Sequence, residues 1–462
     1  MTRQIRLNGF IGFSPVHLSP GLWAHPRSRG ADYNSLDYWV ELAKILERGK
    51  FDALFVADGI GIHDVYGGSA DATIRAGAQF PKLDPLMLVS ALAFETSQIG
   101  FGITASTSHE VPAVLARRLS TLDHFTGGRI GWNIVTGYSD SGARAVGREA
   151  VIAHDDRYDR ADEFLEIAYR LWEGSWEDGA VVRDRASGTF ADPEKVHRVR
   201  HQGAHFELDT IHLTEPSPQR TPFLFQAGAS PRGRAFAARH AEAVFVGGPT
   251  RASVAPGVAD IRARAAALGR DPRDIAVFTL ATAIAAPTRA EAEAKLEEYR
   301  RYTDPDGVLA LFSGWTGIDF SRFDLDAPLT KGERRENAVQ SVIDSFTSAD
   351  PDRVWTLREV IAHNGIGGRG PLFVGTPADI ADEMEAWVNE ADVDGFNLSY
   401  AFVLETFADF VTLVVPELQR RGLYKHDYAP GTLRAKLTGA DAVKSTHPAA
   451  GRRNRAGIGA AA

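Results

Sequence analysis

The residues able to do chemistry fall into four groups along the chain. The first is a set of polar side chains ending successive apolar runs: Asp58, Thr104, Ser106, Asn133 and Thr136. Taken singly, each reads as a helix cap or a satisfied turn residue. Five of them at corresponding ends of successive runs point instead to a shared ligand. The second group is Gln226-Ala-Gly-Ala-Ser-Pro-Arg-Gly-Arg234. Its small residues around Gly228 allow close backbone approach, Ser230 offers a hydroxyl, and the helix that follows offers orphan N–H groups and the positive end of its dipole. That combination suits a phosphate, and an ordinary Ser N-cap accounts for the same residues equally well. The third group is His154-Asp-Asp-Arg-Tyr-Asp-Arg-Ala-Asp-Glu163, a charged first helical turn that leaves His154 and Tyr158 free to point inward. The fourth is the loop holding Ser14, His17, Trp23 and His25, together with His63, Gln79 and Tyr138 from other loops. Aromatic and histidine groups of this kind suit an apolar substrate held beside a flat cofactor.

Several chemistries are excluded. The chain has no cysteine among its 462 residues, which removes disulfides, thiolate metal sites and a cysteine nucleophile together. No H-x-H pair occurs, so a barrel-type zinc site is not expected, and no metal is assigned. Only Asp58 among the strand-end residues is acidic, so no carboxylate pair for glycoside hydrolysis stands out. There is no G-x-x-x-x-G-K-[ST] loop, and Gly365-Ile-Gly-Gly-Arg-Gly370 reads as a flexible turn. A net charge of −9 argues against nucleic acid or an anionic membrane as partner. With no signal-peptide pattern at the N-terminus and no 18-residue apolar stretch, a cytoplasmic enzyme is expected.

The elements that must position these groups alternate regularly. Strands are expected at Ile5–Phe13, Phe51–Asp58, Ile99–Ser106, Arg129–Thr136, Pro222–Gly228, Ala243–Gly247, Ile275–Ile284 and Gly395–Phe402. Between them lie helical patterns at Ser35–Arg48, Val111–Phe125, Tyr158–Trp172, Arg232–Ala241, Val258–Leu268 and Thr376–Glu390, the last capped by Thr376 with Pro377 in its first turn. Near-continuous apolar strands alternating with helices predict a parallel sheet covered on both faces, and eight strands are the number that closes a (β/α)8 TIM barrel. An open doubly wound sheet usually carries G-x-G-x-x-G after its first strand, which is missing here. Two long stretches, 174–221 and 287–375, are expected as insertions in βα loops that wall the carboxyl face, the second with helices at Ala290–Tyr302 and Arg334–Thr347. Residues 1–438 thus read as one barrel domain. Residues 439–462, rich in Ala, Gly and Arg, read as a disordered tail in which Arg452, Arg453 and Arg455 form a solvated cluster.

Six stretches carry a family resemblance: SPGLWAHPRS at 19–28, LERGKFDALFVAD at 46–58, RRLSTLDHFTGGRIGWNIVTGY at 117–138, HDDRYDRADEFLEIAYRLWEGSWED at 154–178, EPSPQRTPFLFQAGASPRGRAFAARHAEAVF at 215–245 and VVPELQRRGLYKHDY at 414–428. The chain resembles the bacterial-luciferase-like flavin monooxygenases of the nitrilotriacetate, long-chain alkane and dibenzothiophene-sulfone monooxygenase branch. The resemblance implies a barrel that takes reduced FMN from a separate NAD(P)H-dependent reductase and uses O2, through a C4a-hydroperoxyflavin, to oxygenate a small organosulfur, aminopolycarboxylate or alkane-like substrate. It implies that Asp58, Thr104 or Ser106, Asn133 and Thr136 face the flavin ring and ribityl chain. His154, Tyr158, Ser230 and the backbone after Gly228 would hold the phosphate. His17, Gln79, His63 and Tyr138 become pocket positions, with His17 or Tyr138 a hydrogen-bond or acid–base partner. A homo-oligomer, dimer or tetramer, is implied as well. The pocket departs from the alkane enzymes at Ser14, His63 and Tyr138, where they carry Cys, Tyr and His, and Trp315 stands where the dibenzothiophene-sulfone enzymes carry His. The alternatives are an F420-dependent oxidoreductase of the same superfamily and a non-catalytic flavin-binding barrel.

Overall fold

The computed structural model describes residues 3–228, 230–329, 340–346 and 354–453. All eight expected strands form, most of them shorter than expected and β7 reaching one residue further: β1 (Arg6–Ile11), β2 (Ala53–Val56), β3 (Gly100–Ser106), β4 (Ile130–Val135), β5 (Phe223–Gln226), β6 (Ala243–Val246), β7 (Ala276–Ala285) and β8 (Gly395–Ser399). Each pairs in parallel with its neighbours, β8 lies beside β1, and the β6–β7 ladder from Ala243↔Ala276 to Val246↔Thr279 completes the ring. The chain folds as a closed (β/α)8 barrel. A ninth strand, Leu372–Gly375, pairs with the outer half of the long β7, outside the ring.

The period of two along the strands sorts the side chains. On β3, Phe101, Ile103 and Ala105 join the main core under the helices, and on β4 Ile130, Trp132 and Ile134 do the same. The residues between them point into the barrel, where Phe55, Phe223, Phe225 and Phe278 fill the interior with Phe10 and Phe245 packed against them. Gly102 and Gly131 make room for this layer: a Cβ at either would lie 2.4 Å from Phe55 or 2.5 Å from Phe225. The next inward positions, one step toward the carboxyl ends, are Thr104 and Asn133. The strands thus change from aromatic to polar where the packed interior gives way to the mouth.

The lower opening is closed by the helix Leu433–Thr438. Leu433 and Leu437 join the aromatic layer, and Arg434 is wholly buried. Its guanidinium donates to both Glu242 carboxylate oxygens at 2.7 and 3.0 Å and to the carbonyls of Thr221 and Pro222. Burial alone would raise the Glu242 pKa. The adjacent guanidinium reverses this and holds the carboxyl below its usual range.

One expectation about the connections is corrected. Residues 174–221 run from the end of a helix to the start of β5, so they lie on the amino side of the barrel rather than in a βα loop. They form two antiparallel hairpins, Val181–Asp184 with Thr189–Ala191 and Val199–Gln202 with Glu207–Thr210, tied to the helix His154–Tyr169 through His201–Glu163. Chain direction dictates this, because a strand-to-helix return ends at the bottom. The segment 287–375 does follow a strand and reaches the upper face. Its first helix is Arg289–Arg300; of the helix expected over 334–347, Gln340–Ser345 is helical, and 334–339 and 347 lie outside the described residues.

The tail is also corrected. Residues 439–453 pack on the barrel, with His447 buried against the carbonyl of His240 at 2.7 Å, Arg452 on Glu166 and Arg453 on Asp178. Local composition suggested disorder because these contacts are all with residues more than 200 positions away. Arg455 lies outside the described residues.

Removing one partner of the buried Arg434–Glu242 pair leaves an uncompensated charge at the barrel floor. Arg434→Met should lower the unfolding free energy by about 3–5 kcal/mol in denaturant titration, and Arg434→Met with Glu242→Gln should recover much of the loss. A loss of about 1 kcal/mol or less for the single variant would show a pair no stronger than an exposed one.

Candidate active site

Three adjoining groups of side chains meet at the carboxyl ends of the strands. The central one lies on β3 and β4. Thr104 sits opposite Asn133 in the ladder, its Oγ1 donates to the Val56 carbonyl at 2.7 Å, and it accepts from Asn133 Nδ2 at 2.9 Å. This leaves Asn133 Oδ1 buried with no partner among the described residues. Ser106 accepts from the Ser108 N–H at 3.3 Å, and Thr136 offers its carbonyl to Ser108 Oγ at 2.7 Å, so both belong to the rim. Beside them lies His109, whose Nδ1 is likewise buried and unpartnered and whose pKa is lowered by burial and then by Arg148.

The second group is built where β5 enters the helix Pro231–His240. Ser230 caps that helix, accepting from the Gly233 N–H at 3.0 Å. The buried Tyr158, from the helix His154–Tyr169, sets its hydroxyl beside the Ser230 and Gln226 side chains. A Cβ on Gly228 would lie 2.9 Å from the Gly233 Cα, and one on Gly233 would lie 2.6 Å from the Tyr158 hydroxyl. Only glycines allow the two backbones and the phenol to converge here. Gln226 Oε1 has no partner among the described residues. His154 bonds Asp155 at 2.7 Å and its ring lies 5.2 Å from that of Tyr158, at the edge of the group. Arg232 is spent on Asp159 and Asp162, so an anion here would meet N–H groups and hydroxyls rather than that guanidinium.

The third group forms a pocket over the mouth. Gln79, held at φ +54°, donates Nε2 to the His17 carbonyl at 3.0 Å, and its Oε1 lies 3.2 Å from His63 Nε2. This geometry assigns the proton to His63 Nε2. The Trp315 ring lies 6.5 Å from that of His63, and the Arg369 guanidinium sits 5.1 Å above Trp315. Burial, and then the charge of Lys82, lowers the His17 pKa to about 3. Burial dominates at His63 too, leaving it at about 4. Tyr138 is pushed up to about 12 by burial, against the pull of Arg369. Both imidazoles and the phenol are therefore neutral near pH 7. Asp58 is half-buried with its pKa raised by burial, opposed by Lys82, and Lys82 donates to the Gly59 carbonyl.

The structure thus brings together His17, His63, Gln79, Tyr138 and Asp58 in one region and Tyr158, Ser230 and Gly228 in another, with Asn133 and Thr104 between them. It does not bring in the rest of the first loop. Ser14 turns back to the Val16 carbonyl, and His25 packs against Phe402 and Tyr302 and bonds Glu298. Thr104 is hydrogen-bonded to Asn133 and to the Val56 carbonyl. Sequence reasoning missed Lys82, His109, Gln226 as a side chain, and Arg369. The first three lie within or near runs already singled out. Arg369 sits in the glycine turn 365–370, which is fixed rather than flexible: the Gly367 N–H donates to Ser19 Oγ at 2.9 Å, and Thr282 Oγ1 bonds the Gly367 carbonyl.

These observations fit a flavin mononucleotide. A cradle too tight for any Cβ at the start of a helix matches a phosphate, and buried, unpartnered Asn133 Oδ1 and Gln226 Oε1 match the donors of a polyol chain or ring. Among the described residues, no group of three or more His, Asp or Glu could hold a metal, and no helix is long and apolar enough to cross a membrane.

The neutral histidines have a consequence for stability. The unfolded His17 titrates near 6.5, the folded one near 3, so as the pH falls the unfolded chain takes up the proton first. The His17 contribution is complete above about 6.5 and is lost below it at up to about 1.4 kcal/mol per pH unit. His17→Asn should flatten the acid limb of the denaturant midpoint between about pH 6.5 and 4.5. An unchanged limb would mean that His17 is not held neutral.

The model of the luciferase-like monooxygenase family matches residues 11–394. Dimethyl-sulfide monooxygenase of Hyphomicrobium sulfonivorans is 48% identical over 452 residues, covering 97% of this chain and 94% of that protein. The crystal structure of DmoA from Hyphomicrobium sulfonivorans superposes with a TM-score of 0.91 at 47% identity, covering 98% and 96% of the two chains. A riboflavin lyase crystallised with modified FMN and riboflavin gives a TM-score of 0.89 at 36% identity, covering 98% of this chain and all (100%) of the other.

Proposed function

Because the chain belongs to the luciferase-like monooxygenases, we propose that it is the oxygenating component of a two-component system, supplied with reduced FMN by a separate NAD(P)H-dependent flavin reductase. The observation that carries this reading is the cradle of Gly228, Gly233, Ser230 and Tyr158 at a helix N-terminus, set beside a polar strand-end layer and an aromatic pocket. Reduced FMN, when bound, supplies the two electrons with which O2 delivers one oxygen atom to the substrate and the other to water.

The protein's own part is to bind, orient and exclude water. Ser230, the Tyr158 hydroxyl and the first-turn N–H groups hold the phosphate. Asn133 and Gln226 offer their free oxygens to the chain and ring. Over the ring, Gln79 fixes His63 and the backbone of His17, so both imidazoles keep one orientation. A neutral His17 and a neutral Tyr138 can donate or accept a hydrogen bond at the reacting oxygen without placing a full positive charge beside it. Their burial among Phe10, Trp315 and Leu18 keeps water from a reactive species. The substrate is a small organic molecule; organosulfur compounds are the favoured class, in line with the sulfide named for the Hyphomicrobium relative.

Two measurements test this reading. Ser230→Ala combined with Tyr158→Phe should raise the dissociation constant for reduced FMN by about tenfold or more, on the order of 1.4 kcal/mol; unchanged affinity would remove the phosphate assignment. Substrate loss should require reductase, NAD(P)H, FMN and O2 together. Turnover with NAD(P)H and no reductase, or anaerobic hydride transfer with a deazaflavin, would replace the reading with another.

A further inference from the structure

Arg369, half-buried, has surroundings unlike those of the buried Arg434, Arg262, Arg129 and Arg270. Arg434 meets Glu242, Arg262 meets Asp394, Arg129 donates to the carbonyls of Ala93, Thr96 and Ile99, and Arg270 donates to those of Ala238 and Ala241. Arg369 makes no hydrogen bond or ion pair among the described residues. Its contacts are the face of Trp315 and the charge-free Tyr138. It remains a cation at neutral pH, although burial lowers its pKa to about 10. A half-buried guanidinium with neither carboxylate nor carbonyl partner, its face resting on Trp315, leaves its N–H donors open to a ligand.

Nor does the guanidinium hang from a loose loop. Gly367 and Gly368 hold φ values of +75° and +86°, and a Cβ on Gly368 would press on Leu18. Ser19 Oγ accepts from Gly367 and donates to the Tyr400 carbonyl, while Thr282 clamps the same turn, so the turn is tied to the loop after β1, to β7 and to the segment just after β8. Lys82 is near enough to act on both His17 and His63. Arg369 and Lys82 thus bring two cations to the site, where the carboxylates in reach are Asp58 and Asp64, the latter paired with Arg144, and the imidazoles are neutral. Neither an alkane nor a neutral sulfide makes use of that field. A planar, fork-shaped donor above an aromatic face matches a carboxylate or a sulfonate.

We propose that the pocket selects an anionic substrate: a small organic molecule whose carboxylate or sulfonate is held by the Arg369 guanidinium over Trp315, leaving the oxidisable atom toward His17 and the strand ends. This deepens the monooxygenase reading and rests on it for the position of the reacting atom. The anion anchor itself is a binding property of the chain.

Calorimetric titration of the full chain with 3-(methylthio)propanoate, 3-(methylthio)propanesulfonate and the neutral 3-(methylthio)propanamide separates the two. The acids should bind the wild type at least about tenfold more tightly than the amide. Arg369→Gln should abolish that preference, and Arg369→Lys, which keeps the charge, should restore part of it and show that the turn still folds. Equal binding of acid and amide, no measurable binding of either acid, or a preference that survives Arg369→Gln but disappears in Lys82→Met would overturn the assignment. Reduced-FMN titration of the same proteins should give equal affinities for wild type and Arg369→Gln. A chain that holds the acids through Arg369 and fails to bind reduced FMN would overturn the flavin reading alone.

Discussion

The pairing of β6 with β7 is the constraint on which everything else rests. A parallel sheet that closes on itself sends all eight carboxyl ends to one rim, so polar residues scattered from position 58 to position 230 end up around a common mouth. Closure also creates an interior that must be filled. Six phenylalanines fill it, with Gly102 and Gly131 giving them space, and the helix bearing Arg434 seals the floor. With the bottom packed and charge-compensated, the carboxyl-end face is the one where polar groups are left facing one another.

The chemistry of that face follows from burial. Imidazoles at ordinary pKa would carry partial positive charge near neutrality, whereas His17 and His63 are held neutral because their ring atoms are removed from water and Lys82 lies nearby. The same desolvation raises Tyr138. The fixed cations of this region are thus Lys82 and Arg369 rather than histidines. At the other end of the site no free arginine is used: Arg232 is committed to Asp159 and Asp162, and the cradle depends on glycine backbone, Ser230 and Tyr158.

The architecture was legible because the period of two in the strands and the helical periods between them are local signals, and the strands differ from expectation only at their ends. The glycine cradle capped by Ser230 was legible for a similar reason, since Gln226 to Arg234 is one continuous run. The failures share one cause. His25 looked like His17 in the sequence, yet one packs on Phe402 and the other on Phe10. Residues 439–453 looked disordered because their partners, Glu166, Asp178 and His240, are remote in sequence. Arg369 was hidden in a glycine turn whose rigidity comes from Ser19 and Thr282.

By itself the sequence determined the order of the eight barrel strands, the barrel that order implies, the absence of thiol chemistry and the residue types at the mouth, because these depend on composition and on spacing between neighbours; the helix Pro85–Phe94, apolar at nearly every position, gave no such periodic signal. Tertiary structure alone decided which histidines meet, that Arg369 is left without a hydrogen-bond or ion-pair partner among the described residues, which insertion lies above the barrel and which below, and which groups stay neutral. Those outcomes depend on burial and on charges brought together from distant positions, and neither exists until the barrel has closed.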